Sequence, residues 1–207
     1  MKNKYGIIAL ILIGFQLLLF LGSWLVTAAF PEVSVRSLLS GEGFRWFVGE
    51  FVANLKTDFL IWMLLFFTTA GVFKSSGLYT LISNLLHHRH PLQHLRYRER
   101  VAIRTVLVEF ILYIACFILL TCLPQPVLLS VTGSFFPSAL TEGLVPSICF
   151  IFAVTSVSYG AACGIFKNLQ DIYNAFANGF GLFGKFFPFY LIIVELIKSV
   201  AFIFDLF

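Results

Sequence analysis

Charge is scarce in this chain: Lys, Arg, Asp and Glu together make up 12% of its 207 residues, about half the share usual in soluble globular proteins. Hydrophobic residues make up 59%, and 26 residues are Phe. A soluble domain of this length has no interior large enough for so much apolar surface, so the expected solvent is lipid. Reactive arrangements are scarce as well. No Ser/His/Asp set falls in one compartment and no two carboxylates have catalytic spacing, so no enzyme is expected. The cysteines, Cys116, Cys122, Cys149 and Cys163, sit in or beside apolar runs without metal-ligand spacing, where small apolar filler is their ordinary role. Cys122 and Cys149 are the pair that approaches the outer face together, where a disulfide is chemically allowed. Neither cofactor nor metal is expected, and no nucleic-acid partner.

What the chain has in abundance is long apolar runs. Five can cross a hydrocarbon core, which takes about 20 helical residues: residues 7–30, 58–73, 101–123, 144–166 and 186–207, the second being the shortest. The first could also be read as a signal peptide, since Lys2 and Lys4 precede it and Thr27-Ala28-Ala29 resembles a cleavage site. Its apolar run exceeds the about 7–15 residues of a signal core, so it is read as a retained span. The fold class is therefore all-α: one polytopic membrane domain over residues 1–207, with about five transmembrane helices and an interfacial amphipathic helix at about 42–56. In that last segment Phe44, Phe47, Val48, Phe51, Val52 and Leu55 recur at helical spacing, while Arg45, Glu50 and Asn54 fall largely off the stripe. Trp46 suits the headgroup layer, Ser40 suits the N-cap and Glu42 the positive helix end.

Loop charges set the orientation. Lys2, Lys4, Lys74, Arg89, Arg96, Arg98, Arg100, Arg104, Lys167 and Lys185 lie on one side, Arg36, Arg45 and Lys56 on the other. The positive-inside rule puts the amino terminus in the cytoplasm, and an odd number of spans puts the carboxyl terminus outside. Arg89, Arg96, Arg98 and Arg100 form a basic loop suited to anionic headgroups. His87, His88, His90 and His94 share that loop, but Pro91 interrupts them and Arg89 and Arg96 lie among them, which disfavours a metal site. Gly179-Phe180-Gly181-Leu182-Phe183-Gly184 spells a dinucleotide fingerprint, yet no strand precedes it; a flexible re-entry before the fifth span is the expectation instead.

Inside the spans, Ser156, Gly160 and Gly164 recur every four residues and offer a smooth face to another helix. Glu109 lies about 12 Å beyond the cytoplasmic end of its helix and Lys198 about 18 Å beyond the start of the last span, both near mid-depth. Glu195 precedes Lys198 by three residues. A structural ion pair and a proton or substrate relay are the two readings of these groups, since an unpaired charge there costs at least about 2.5–3.5 kcal/mol.

Exact residues add a resemblance. Ser37-Leu38-Leu39-Ser40-Gly41-Glu42-Gly43-Phe44-Arg45-Trp46, then Gly71-Val72-Phe73 and Ser76-Gly77-Leu78, resemble the early part of the p-aminobenzoyl-glutamate transporter (AbgT) family. A second block agrees in order: Thr132-Gly133-Ser134, Pro137-Ser138, Gly143-Leu144-Val145-Pro146, then Tyr159-Gly160, Gly164, Lys167 and Asp171, preceded by a helix resembling Arg98 through Pro124. The resemblance implies a secondary transporter about twice this length, with two re-entrant hairpins and a substrate core inside a dimerising scaffold. Between Leu78 and Arg98, where the first hairpin and several core helices belong, this chain has only YTLISNLLHHRHPLQHLRY, and it stops at Phe207. The expectation is a scaffold-only relative in a bacterial inner membrane, touching membrane lipids and either a second copy or another membrane protein. The alternative is an oligomeric transporter of a p-aminobenzoyl-glutamate-like acid. No substrate-binding residue of the family has a counterpart to be carried over.

Overall fold

A computed structural model describes residues 3–32, 34–87, 96–122 and 139–206. Its elements are α1 (Asn3–Ala29), α2 (Gly41–Gly49), α3 (Phe51–Leu55), α4 (Asp58–Ser75), α5 (Leu78–His87), α6 (Tyr97–Cys122), α7 (Ala139–Ala162) and α8 (Leu169–Ile203), with no strand among the described residues. Helices α1, α4, α6, α7 and α8 are the ones long and apolar enough to cross a membrane. Their exposed faces are apolar: Leu10 is 72% and Ile111 66% exposed, which suits lipid contact and would be costly in water. This is an all-helical integral membrane protein. His88, Arg89, His90, His94, Thr132-Gly133-Ser134 and Pro137-Ser138 lie outside the described residues, as does the Cys122 side chain. Cys149 is a buried free thiol.

Several boundaries differ from the sequence reading, and three of them have a local reason. The segment at about 42–56 is two short helices, α2 and α3, that meet at Glu50. The fourth span ends at Ala162, because Gly164 takes φ +75° and closes a left-handed cap: Gly164 N–H donates to Ala161 O at 3.0 Å and Ile165 N–H to Gly160 O at 2.8 Å. The last helix begins at Leu169, well before residue 186. There the Asp171 carboxylate accepts the N–H groups of Lys167 and Asn168 at 2.9 and 3.1 Å, tying down donors that a helix start leaves free. Gly179, Gly181 and Gly184 are therefore interior to α8, which replaces the flexible re-entry expected from their spacing.

The chain packs as two compact units, Met1–Leu60 with Gly184–Phe207, and Ile61–Phe183. In the first, α1 and the last turns of α8 run side by side in the same direction. Tyr5 meets Phe189 with ring centroids 6.1 Å apart, and Gln16 Nε2 donates to Ser199 Oγ at 2.8 Å. Leu38, fully buried, joins Phe202 and Ile203 in the small core, and its N–H donates to Ser23 Oγ at 3.1 Å. Trp46 stacks on Phe202 at 4.4 Å. Arg36 pairs with Asp205 at 3.0 Å and donates its N–H to Ile203 O. Gly43 lets α2 sit on this loop, because a Cβ there would lie 2.5 Å from Ser37 O.

Ser40 caps α2: its Oγ accepts the Gly43 N–H at 3.0 Å, with Glu42 in the first turn. Ser40→Ala is expected to lower the stability of this unit by about 1 kcal/mol, read as a lower melting temperature in mild detergent. Ser40→Asp should restore most of it.

In the second unit α4 and the first half of α8 cross at two glycines. A Cβ on Gly71 would collide with the backbone of Gly179 and lie 2.9 Å from Ala175 O, while one on Gly179 would lie 2.8 Å from Thr68 Cα and collide with Phe67 O. Helices in lipid associate through close packing rather than water exclusion, so this is where the unit gains backbone contact. Val72, Phe166 and Ala175 fill the space beside it. Leu78, Leu81, Ala102 and Tyr159 form a second cluster. The turn from α4 to α5 is fixed by Gly77 at φ +80° and by Ser76, fully buried, whose Oγ accepts the Leu78 N–H at 3.3 Å.

Candidate functional site

The residues singled out from the sequence fall into different surroundings. Ser156 is fully buried on α7 with its Oγ unpartnered. Gly160 is covered by the Phe166 ring of the following turn, 2.5 Å from where a Cβ would be, and Gly164 lies past the helix end against the Arg98 guanidinium. Arg96, Arg98 and Arg100 are exposed at the start of α6, where Glu99 accepts the Arg96 N–H at 2.9 Å and closes the cap. Glu109 is half-buried on α6, with Oε2 lacking a hydrogen bond.

Glu195 and Lys198 belong to the first unit. Glu195 is 6% exposed. Asn54, equally buried on α3, faces it.

These groups belong to a polar seam that follows one face of α8. At one end Tyr190 donates to Leu55 O at 2.7 Å. Its oxygen is 2.7 Å from Thr57 Oγ1, so the Thr57 hydroxyl is the donor of that second bond. Glu195 with Asn54 comes next, and then Ser199 with Gln16. Last comes Ile203 O, which accepts from Arg36. From Tyr190 to Ile203 the seam covers about 20 Å at about 1.5 Å per residue, much of a hydrocarbon core of about 30 Å. Because α2 and α3 run back along α8 from Phe202 to Tyr190, their apolar residues Phe44, Val48, Phe51 and Val52 face outward while Asn54 points in.

Asn54, Gln16 and Ser199 were missed by sequence reasoning. The usable signals were a glutamine in the middle of an apolar span and the i, i+4 spacing of Glu195 and Ser199. The Gly71–Gly179 crossing was missed too. Its signal was the small-residue pair Ala175 and Gly179, one helical turn apart.

In the second unit an open, mainly apolar groove of about 830 Å³ lies between α4, α6, α7 and α8, with Thr68, Thr69, Ser147 and Ser158 among its lining. Tyr113 donates to Ser147 O at 3.0 Å beside it.

The model of the AbgT putative transporter family matches residues 83–203, more than half of the chain. The chain belongs to the AbgT family. That match takes in the second motif block, Tyr159-Gly160 through Asp171, and also the polar residues of α8; the first block, Ser37–Leu78, precedes it. In this AbgT protein the later part of that block, from Tyr159 on, is a helix end and the turn after it: Gly160 receives the Phe166 ring, Gly164 reverses the chain and Asp171 caps α8. No curated protein and no solved structure matches the chain.

Proposed function

We propose that this AbgT-family membrane protein acts as a scaffold, a platform that dimerises or docks another membrane protein, and does not itself carry substrate. The observation that carries the reading is the use made of the family-like motif residues. Ser40, Gly43, Gly71, Ser76, Gly77, Gly160, Gly164 and Asp171 serve caps, turns and close helix packing. None of them lines the groove. The short stretch of residues 79–97, where the family resemblance calls for a hairpin and core helices, supports it as well. The bacterial inner membrane, with the amino terminus cytoplasmic, suits the basic start of α6, where Arg96, Arg98 and Arg100 are free to meet anionic headgroups.

Transport of a p-aminobenzoyl-glutamate-like acid by an oligomer is the second reading, favoured by the groove of about 830 Å³, a size that would hold a small molecule. Its mainly apolar lining suits a dicarboxylate poorly. The test is uptake of p-aminobenzoyl-glutamate by vesicles holding the purified chain, with the oligomer mass measured in mild detergent. Uptake equal to that of protein-free vesicles, with a dimeric or partnered mass, is expected. Uptake by the chain alone overturns the scaffold reading.

A further inference from the structure

An apolar groove among membrane-spanning helices needs an apolar occupant, because water has too few hydrogen-bond partners to stay there. The groove of about 830 Å³ in the second unit is such a place. On its rim Phe150 of α7 is 62% and Phe180 of α8 is 49% exposed. The hydroxyl groups of three lining or adjoining side chains are already engaged by backbone carbonyls: Thr68 Oγ1 donates to Leu64 O, Thr69 Oγ1 to Cys149 O at 3.3 Å and the Tyr113 hydroxyl to Ser147 O at 3.0 Å. A polar ligand would give up its water here for little in return. A hydrocarbon chain gives up nothing. From Pro146 to Ser158, both in the lining, the groove follows α7 for about 18 Å at about 1.5 Å per residue. That is close to half of a hydrocarbon core of about 30 Å, the depth filled by the acyl chains of one leaflet.

Charge marks one end of the groove. Val157, near the end of α7, and Ile172, in the first turn of α8, line that end. At the turn between these helices the Arg98 guanidinium lies 3.1 Å from where a Cβ on Gly164 would be, and Lys167 is exposed. Arg96 and Arg100 flank Arg98 at the start of α6. The acids nearby, Glu99 and Asp171, accept N–H groups at the starts of their own helices, and the bases outnumber them. We propose that the groove binds an acyl chain of an anionic phospholipid, whose phosphate lies at Arg98 and Lys167. An apolar wall with a basic mouth is complementary to that amphiphile. A second copy, inserted in the same orientation, would bring its own basic end to this one and set like charges together. The inference stands apart from the scaffold reading, since occupancy of the groove is read by labelling and not by uptake.

Phosphatidylglycerol with a diazirine in one acyl chain tests it. Light expels dinitrogen from the diazirine, and the carbene left behind inserts into a neighbouring C–H bond, giving an adduct located by peptide mass. The full chain is placed in phosphatidylcholine vesicles with a trace of the reagent. Adducts on the groove walls of α7 and α8 are expected to exceed those on the exposed face of α1 around Leu10. Added unlabelled phosphatidylglycerol should suppress the groove adducts and leave those on α1 unchanged. Arg98→Gln and Lys167→Gln should each lower groove labelling about fivefold, the effect of one basic residue at an anionic surface. Ala153→Trp, which fills the groove from its α7 wall, should abolish the groove adducts at an unchanged melting temperature. The competition is read on the wild-type chain, so the result stands even if Ala153→Trp fails to assemble. Groove adducts no denser than those on α1, or not displaced by phosphatidylglycerol, overturn the proposal. Labelling indifferent to both Arg98→Gln and Lys167→Gln overturns the headgroup assignment. A groove shielded from the reagent in a dimer that Ala153→Trp breaks apart gives the place to a second copy, which overturns the lipid as well.

Discussion

Gly71→Leu and Gly179→Leu remove the folded protein from mild-detergent extracts. The atoms that a new Cβ would meet at either position are backbone: Gly179 Cα at 2.6 Å from Gly71, and Thr68 Cα at 2.8 Å from Gly179. A side chain can rotate out of the way, but a helix backbone can only move as a whole. Overpacking a core that can yield costs about 1–3 kcal/mol. Forcing two helices apart at their closest approach should exceed about 3 kcal/mol, a large part of a total stability of about 5–15 kcal/mol. The control is in the same helix, two residues on. A Cβ at Gly181 meets nothing within 4 Å, so Gly181→Ala should stabilise α8 by about 0.5–1 kcal/mol through lost backbone freedom in the unfolded chain. Size-exclusion profiles and melting temperatures read both effects. A wild-type profile and melting temperature for Gly179→Leu would sink the crossing.

Leu38→Ala lowers the stability of the other unit by about 2–3 kcal/mol. Leu38 is fully buried against Phe202 and Ile203, with Val35, Leu19, Phe20 and Trp46 around it. Such truncations cost about 2–5 kcal/mol in water-soluble cores, part of it lost transfer from water and part the cavity left behind. Lipid is as apolar as leucine, so the transfer part shrinks and the cavity part remains, which places the expected value in the lower half. Trp46 reports locally, since its stack on Phe202 lies beside the new space. A changed Trp emission should accompany the drop in melting temperature. Leu39→Ala, at a side chain 38% exposed, should change neither by much.

The two units differ in how legible they were. The apolar runs were decisive for α1, α4, α6 and α7, because a span in lipid must satisfy its own backbone and so declares itself by length and composition alone. The Ser40 cap was legible for a similar reason: an N-cap is a local device whose partners lie within three residues. The start of α8 was not. Its first half mixes Gln170, Asp171, Asn174 and Asn178 with apolar residues, and such a mixture looks like a loop until Ala175 and Gly179 are seen to carry a helix crossing. Helical spacing placed Asn54 off the apolar stripe, where it is, but could not show that it is buried, because in lipid the apolar face can point outward and the polar one inward.

By itself the sequence determined that this is an all-helical membrane protein with five spanning helices, and that its motif residues resemble the AbgT family, because hydropathy, caps and motif order are written along one dimension. Only the tertiary structure decided which glycines meet, which serines are buried and that Glu195 stands with Asn54 and Ser199. Gly71 and Gly179, or Asn54 and Glu195, are far apart in the chain, and their approach follows from where whole helices cross, which no local spacing contains.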